Sequence, residues 1–410
     1  MRPRWSVEPK IEDLLTVCGS RASISTYLNG SYNKCYKIEA ESGPLLLRVG
    51  LPIDAPRKTE SEVATMYYIT QHTGIPIPRV LRYDATNHNV PHFPYISMEF
   101  IQGRCLEELW HELSMEVKEL IVRQLARSEA EVFDLEFHFI GNLYFEPHSD
   151  SGHSKASSAK DATTSDGTFR ARHPPHPRYS KFRPGPIVIA DSPDLSSRLP
   201  RGPYDHGQDW LRDRVECCVF NFEQTLLKPD VSDEDLADIP SILTFARLLL
   251  EVIPKVFPKG DSPESTRIFH HDLHARNIIV DQDNIVGLLD WEFVSIVPVW
   301  QFCELPRVLH GPDDVSKPER AHYYPYGSDT VAEESYYWDE VMQYERVHLR
   351  KVFIKEMEQL RPSWVSEFRR GSLKRQVAMA INYIERGSIY ASHEWAGRLV
   401  RGETESYPAE

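Results

Sequence analysis

Phe269-His270-His271-Asp272-Leu273-His274-Ala275-Arg276-Asn277-Ile278-Ile279-Val280, followed shortly by Gly287-Leu288-Leu289-Asp290-Trp291-Glu292, is the stretch on which the reading of this chain turns. Asn277 follows Asp272 by five residues, and Asp290 follows Asn277 by thirteen. Two apolar runs, Ile278 to Val280 and Ile285 to Leu289, flank a polar turn at Asp281 to Asn284, which predicts a strand hairpin. Such a hairpin folds Asp290 back beside Asn277. An Asp, an Asn and a second Asp in this order suit phosphoryl transfer. One carboxylate orients an acceptor hydroxyl and takes its proton, while the Asn and the second Asp hold magnesium against the phosphates. Magnesium favours such hard oxygen donors over imidazole. Asp272 is thus the candidate base, and Asn277 and Asp290 are the candidate metal ligands. A zinc cluster of His270, His271, Asp272 and His274 fits less well, because the histidines do not stand one helical face apart and a fourth ligand is missing. An ordinary hairpin with solvated charges does not account for the joint spacing.

Outward from this stretch the chain divides by texture. Ser25 to Tyr36 reads as a strand, a glycine turn and a second strand, and Leu45 to Val49 as a third. Pro56 to Gln71 reads as a helix, with Thr59 or Ser61 as its cap and Val63, Met66, Tyr67 and Thr70 as its apolar stripe. Gly74 to Pro78 stops it. Val80 to Tyr83 and Tyr95 to Phe100 read as two more strands. Residues 25–101 therefore form a small β-rich lobe with one helix. After Gly103 helical periodicity takes over, at Leu106 to Phe133, Gln208 to Leu227, Ile239 to Phe257, Trp338 to Leu360 and Leu373 to Tyr390. The fold class is α+β, with a larger, mainly helical second lobe over 102–147 and 181–400. Residues 148–180, rich in Ser, Thr, His, Pro and Lys and nearly free of large aliphatics, read as a disordered insert. Residues 1–24 read as an N-terminal extension, and the tail after Gly402 as frayed.

Composition excludes several classes. The chain has 410 residues, 41% hydrophobic and 26% charged, enough to bury a core in two lobes. A formal net charge of -14 argues against non-specific nucleic-acid binding. No run of about 18 apolar residues occurs, so no membrane-spanning helix is predicted. Six cysteines are scattered without a CxxC pair and read as reduced thiols. Glu8, Glu12 and Asp13 follow closely on Met1 to Trp5, which disfavours a signal peptide or a basic transit helix and reads as cytoplasmic.

The motifs resemble the HGDLHxxN…IDWE pattern of the aminoglycoside phosphotransferase and choline-kinase-like family, most of all its fungal phosphotransferase-enzyme branch. His270, Asp272, Leu273, His274, Asn277, Asp290, Trp291 and Glu292 fit; His271 stands where the family usually has Gly. The resemblance covers residues 25 to 145 and 183 to 395. It implies a protein-kinase-like two-lobe fold, ATP and Mg2+, and a hydroxyl of a small molecule as acceptor. Carried onto this chain, Gly30, Ser31 and Asn33 form the turn that covers phosphates, where glycine lets the backbone approach. Arg48 stands where kinases place a phosphate-contacting lysine, and its planar fork still suits phosphate or carboxylate. Glu62 is its expected partner, with Glu60 as the fallback. Met98 lines the back of the adenine pocket, while the Glu99 carbonyl and the Ile101 N–H bond the adenine edge. His270 braces the catalytic loop. Trp291-Glu292 and Pro298 to Gln301 either wall the acceptor site or pack the second lobe. Arg201 to Tyr204 resembles a piece of the fungal branch without an evident physical role. Tyr323, Tyr324, Tyr326, Tyr336, Tyr337 and Trp338 either line a cleft or pack the core. Two functions fit: an active small-molecule kinase, or a catalytically weak or inactive nucleotide-binding or scaffold protein, which Arg48 and the single glycine of the turn suggest. The branch also contains mitochondrial-inheritance proteins, which makes mitochondria the alternative compartment. Acceptor identity and oligomeric state are open at this level.

Overall fold

The computed structural model describes residues 5–18, 22–30, 32–41, 43–146, 181–189, 200–227, 237–320, 331–389 and 393–403. The insert expected at 148–180 lies outside the described residues, as do Ser31, Tyr323, Tyr324 and Tyr326.

Alternation along the strands builds the small lobe. Strands β1 (Ser23–Asn29), β2 (Asn33–Ala40), β3 (Gly43–Gly50), β4 (Val80–Asp84) and β5 (Tyr95–Glu99) form an antiparallel sheet in the order β1-β2-β3-β5-β4. Leu45, Leu47 and Val49 of β3 bury one face together with Tyr36, Ile38 and Tyr95. Helix α1 (Ile11–Cys18) covers that face through the fully buried Leu14. The segment before residue 25 thus supplies the small lobe with a second helix. With a period of two, Leu46 and Arg48 point to the opposite face, which looks toward the large lobe. Arg48 sits between Cys35 of β2 and Ile96 of β5 in the ladder.

Helix α2 (Arg57–His72) crosses that inner face. Its apolar stripe is Val63, Met66 and Ile69; Tyr67 is half-buried and Thr70 exposed. Thr59 and Ser61 do not cap it, since the helix starts after Pro56 without a side-chain cap and both are buried within its first turns. Lys58, Glu62 and Thr65 are buried as well. The helix is enclosed because β7 (Asn142–Phe145) of the large lobe, itself paired with β8 (Phe182–Gly185), packs against it. Asn142 Nδ2 donates to Ser61 Oγ and to the Val294 carbonyl, both at 2.8 Å, fastening α2 to the loop beyond Asp290.

The large lobe is helical. It contains α3 (Leu106–Leu109), α4 (Met115–Phe133), α5 (Gly207–Leu226), α6 (Ile239–Val256), α7 (Val299–Phe302), α8 (Val331–Leu360), α9 (Pro362–Arg370), α10 (Ser372–Glu385) and α11 (His393–Val400). The stretch from Leu106 to Phe133 is broken, because Ser114 starts α4 by accepting a bond from the Val117 N–H. Helix α10 ends at Glu385, short of Tyr390, where Gly387 takes a φ of 76°. One apolar core runs from Val63 and Met98 of the small lobe through Ile121, Phe245 and Trp300 to Phe353 and Trp364. Among the described residues no helix is long and apolar enough to cross a membrane. None of the six cysteines is in a disulfide.

Short strands position the quoted stretch. Strand β9 (Thr266–Phe269) pairs with β12 (Ser295–Pro298), and β10 (Ile278–Asp281) pairs with both β11 (Asn284–Leu288) and β6 (Arg104–Cys105). Gln282 and Asp283 at the β10–β11 turn have φ of 47° and 64°, the left-handed pair of a tight hairpin turn. Gly103 leads into β6 with a φ of 141°, and a Cβ there would lie 2.7 Å from Ile279 Cγ2 and 2.8 Å from the Val280 carbonyl oxygen. Gly103→Ala should therefore lift β6 off β10 and cost about 1–3 kcal/mol in urea unfolding. Gly260→Ala, where the nearest atom is 3.8 Å away, serves as the near-neutral comparison.

Candidate active site at the junction of the lobes

The hairpin closes on itself through a backbone bond from the Leu289 N–H to the Asn277 carbonyl at 2.8 Å, which sets Asp290 beside Asn277. Asp290 adopts a φ of 62°, a left-handed conformation that a non-glycine residue holds only when its surroundings impose it. The loop before β10 is equally determined. Asn277 Nδ2 donates to the Asp272 carbonyl at 2.9 Å. His270 Nδ1 accepts from the Asp272 N–H at 3.3 Å, and its Nε2 faces the Leu289 carbonyl at 2.9 Å. Burial pushes the His270 pKa down. A neutral ring that accepts at Nδ1 must donate at Nε2, so His270 ties the Asp272 loop to the Asp290 loop. His271 bonds Ser295 Oγ at 2.6 Å and meets the Phe269 ring edge-on; burial pushes its pKa down to about 4. The Asp272 carboxylate is part-exposed and pairs with Arg307, with His274 Nε2 at 3.5 Å.

From the other lobe, Arg48 forms an ion pair with Glu62 of α2 and a hydrogen bond from Nη1 to Asp290 Oδ1 at 3.2 Å. Glu60, the fallback partner, is half-buried and does not line the cavity. Beside this pair lies a second. Lys58 Nζ is 2.6 Å from Glu292 Oε2 and 3.2 Å from Asn33 Oδ1, and Asn33 Nδ2 donates to Glu292 at 2.8 Å. Burial pushes Lys58 down, against the pull of Glu292. Burial on its own would raise Glu292, but Lys58 and then Arg48 hold it below the usual carboxylate range. Tyr32 of the glycine turn meets Phe293 edge-on at 5.5 Å. The turn after β1 is thereby fixed to the loop after Asp290.

A cavity of about 490 Å³ opens between the lobes. Gly30, Asn33, Arg48, Glu62, Met98, Asp272, Asn277 and Asp290 all line it. Ser31 lies outside the described residues. Glu99 and Ile101 are not on its wall: the Glu99 N–H is taken by the Arg79 carbonyl at 2.9 Å, and Ile101 packs on Gly287. Trp291 walls this cavity, whereas Trp300 packs on Phe257 in the core. Tyr336 is exposed on α8, and Trp338 stacks near His111. Arg201 gains a role, since its Nη1 meets the buried Asp54 at 2.8 Å and ties the lead-in to α5 to the loop after β3.

Three contributors escaped the sequence reading: Lys58, Arg307 and Cys35, which also lines the cavity. For Lys58 a signal existed. It precedes Glu62 by four residues and must share its face of the helix. Arg307 follows no motif.

The donor set fits magnesium. Asn277 spends its amide nitrogen on Asp272, which leaves Oδ1 for a cation. Burial, then Glu292, push the Asp290 carboxyl pKa up against the pull of Arg48 and Lys58. Among the described residues no three His, Cys, Asp or Glu side chains converge as a cage. One carboxylate and one amide oxygen, completed by water and phosphate, is how magnesium is commonly held.

The family described as APH, Phosphotransferase enzyme family, matches residues 23–301, and the chain belongs to it. A subtelomeric hrmA-associated cluster protein of Aspergillus fumigatus is 27% identical over 72% of this chain and 62% of its own length. Altered inheritance of mitochondria protein 9, mitochondrial, of Candida tropicalis is 32% identical over 67% of this chain and 48% of its own. The chain thus spans only part of the relatives it matches. Among solved structures, the ADP-bound aminoglycoside phosphotransferase APH(2'')-Ib aligns over 96% of this chain and 95% of its own, with 14% identity and a TM-score of 0.46. Family membership supports a kinase-like phosphotransferase.

Two outcomes follow from the buried charges. Glu292→Gln strands Lys58 without its counter-ion, and urea unfolding should show a loss of about 3–5 kcal/mol. His271 holds a folded pKa of about 4 against 6.5 when unfolded. Between those values the unfolded chain binds a proton that the native one refuses, so stability falls as pH drops from 6.5 to 4. The loss is on the order of 3 kcal/mol. His271→Asn should flatten that part of the stability–pH curve.

Proposed function

We propose that this protein is an ATP- and magnesium-dependent kinase of a hydroxyl group on a small molecule. The observation that carries the reading is the presence of Asp272, Asn277 and Asp290 on one cavity wall with Gly30, Arg48 and Met98. Asp272 orients the acceptor hydroxyl and receives its proton as the oxygen bonds the γ-phosphorus. The bond from that phosphorus to the β-phosphate oxygen breaks, and ADP leaves with the electron pair. Asn277 and Asp290 hold magnesium, which neutralises charge on the phosphate oxygens. Arg48 and the turn of Gly30, Ser31 and Asn33 bind phosphates, and Glu62 holds Arg48 in place. Met98 backs the adenine. His270 keeps the two loops in register.

One observation favours a weak or inactive form: Arg48 bonds Asp290 directly and so competes with the metal for its ligand. ATP titration with and without magnesium, read by thermal unfolding, separates the two. The active form gains about 2.7 kcal/mol when ATP reaches a hundredfold over its dissociation constant. Asp272→Asn should keep that gain and lower phosphotransfer, read as ADP release across a panel of hydroxylated metabolites, by about 10²–10⁴-fold. Near-normal turnover in this variant, or no magnesium-dependent gain at millimolar ATP, would overturn the reading. The Candida relative is named as mitochondrial. Imaging of a tagged copy decides between that compartment and the cytoplasm.

A further inference from the structure

A second cavity, of about 630 Å³, lies on the far flank of Asp272. It shares His271 and Arg307 with the first, so the two meet beside the candidate base. We propose that this cavity seats the acceptor and selects one carrying an acidic group, a carboxylate or a phosphate, in addition to its reactive hydroxyl. The inference rests on the kinase reading and adds the substrate class.

The argument is a count of charges that are, and are not, already answered. Arg307, Arg375 and Arg386 stand on the wall, against Glu304 and Glu385. Glu385 is answered by Arg214, which grips both its oxygens at 2.7 Å in a bidentate fork. Glu304 is half-buried, and burial pushes its carboxyl up to about 7 against the pull of Arg375 and Arg307, so only part of its charge offsets them at neutral pH. Two of the three arginines are not answered to the same degree. Arg375 donates to the Trp300 and Phe368 carbonyls, which are neutral, and has no carboxylate at ion-pair distance among the described residues. Arg386 is exposed and likewise unpaired among them. Arg307 pairs with Asp272 itself. His271 is held neutral and adds no charge. The wall is therefore net positive, and guanidinium forks recognise carboxylate and phosphate by shape as well as charge. Gln301 on the same wall has a buried Oε1 that finds no donor among the described residues, which an acceptor hydroxyl would satisfy. An acidic acceptor also competes with Asp272 for Arg307, so its arrival frees the base.

The test uses the full chain with saturating AMP-PNP and magnesium, which occupies the first cavity. Four probes on one skeleton, glucose, glucosamine, gluconate and glucose 6-phosphate, are titrated by ligand-observed NMR. Gluconate or glucose 6-phosphate should bind at least about tenfold more tightly than glucose, with glucosamine weakest. Which of the two anions wins tells carboxylate from phosphate. Arg386→Gln should weaken the anion about fivefold, and Arg369→Gln, a surface arginine away from the wall, should leave it unchanged. If neither anion outbinds glucose, or if glucosamine binds best, the acidic acceptor is overturned. Magnesium-dependent AMP-PNP binding then leaves the kinase reading standing; loss of that binding would overturn the kinase reading instead.

Discussion

Arg48 is shared between two carboxylates that belong to different lobes, Glu62 and Asp290, and the rest of the junction is arranged so that this sharing is tolerable. A buried guanidinium needs counter-charge close at hand, and each carboxylate needs it equally. Lys58, Glu292 and Asn33 repeat the pattern a few ångströms away. The two clusters explain why α2 is polar on a face that lies inside the protein. They also explain why the glycine turn, α2 and the Asp290 loop keep one mutual geometry. Buried ion pairs add little net stability compared with an apolar core, and their yield here is registration of one lobe on the other.

The apolar core complements them. It runs without interruption from Val63 and Met98 into the helices of the large lobe. Charge fixes orientation at the mouth of the cleft, and close packing behind it resists shear.

Much of this was legible in the primary structure. The alternation of Leu45 to Val49 forces Arg48 onto the inner face, and the spacing of Asp272, Asn277 and Asp290 survives because a four-residue turn and two short strands are local features. What was not legible depends on contacts distant in sequence. Helix α1 is only eight residues long and owes its position to Leu14 under the sheet. Arg201 acquires its meaning from Asp54, and Arg307 from a backbone bond that hangs its turn on Leu273. Lys58 reads as a surface residue until Glu62 is seen to point inward. Glu99 and Ile101, expected at an adenine edge, fall beyond the cavity wall because they sit where the chain leaves the sheet.

The family match stops at residue 301, and Arg307, Arg375 and Arg386 all come later. The residues that line the first cavity therefore lie inside the matched span, apart from Arg307, while most of the second cavity's lining lies beyond it. Divergence beyond the matched span can rewrite the second lining and leave the first untouched. Two proteins with equally good matches over that span need not share what the second cavity holds.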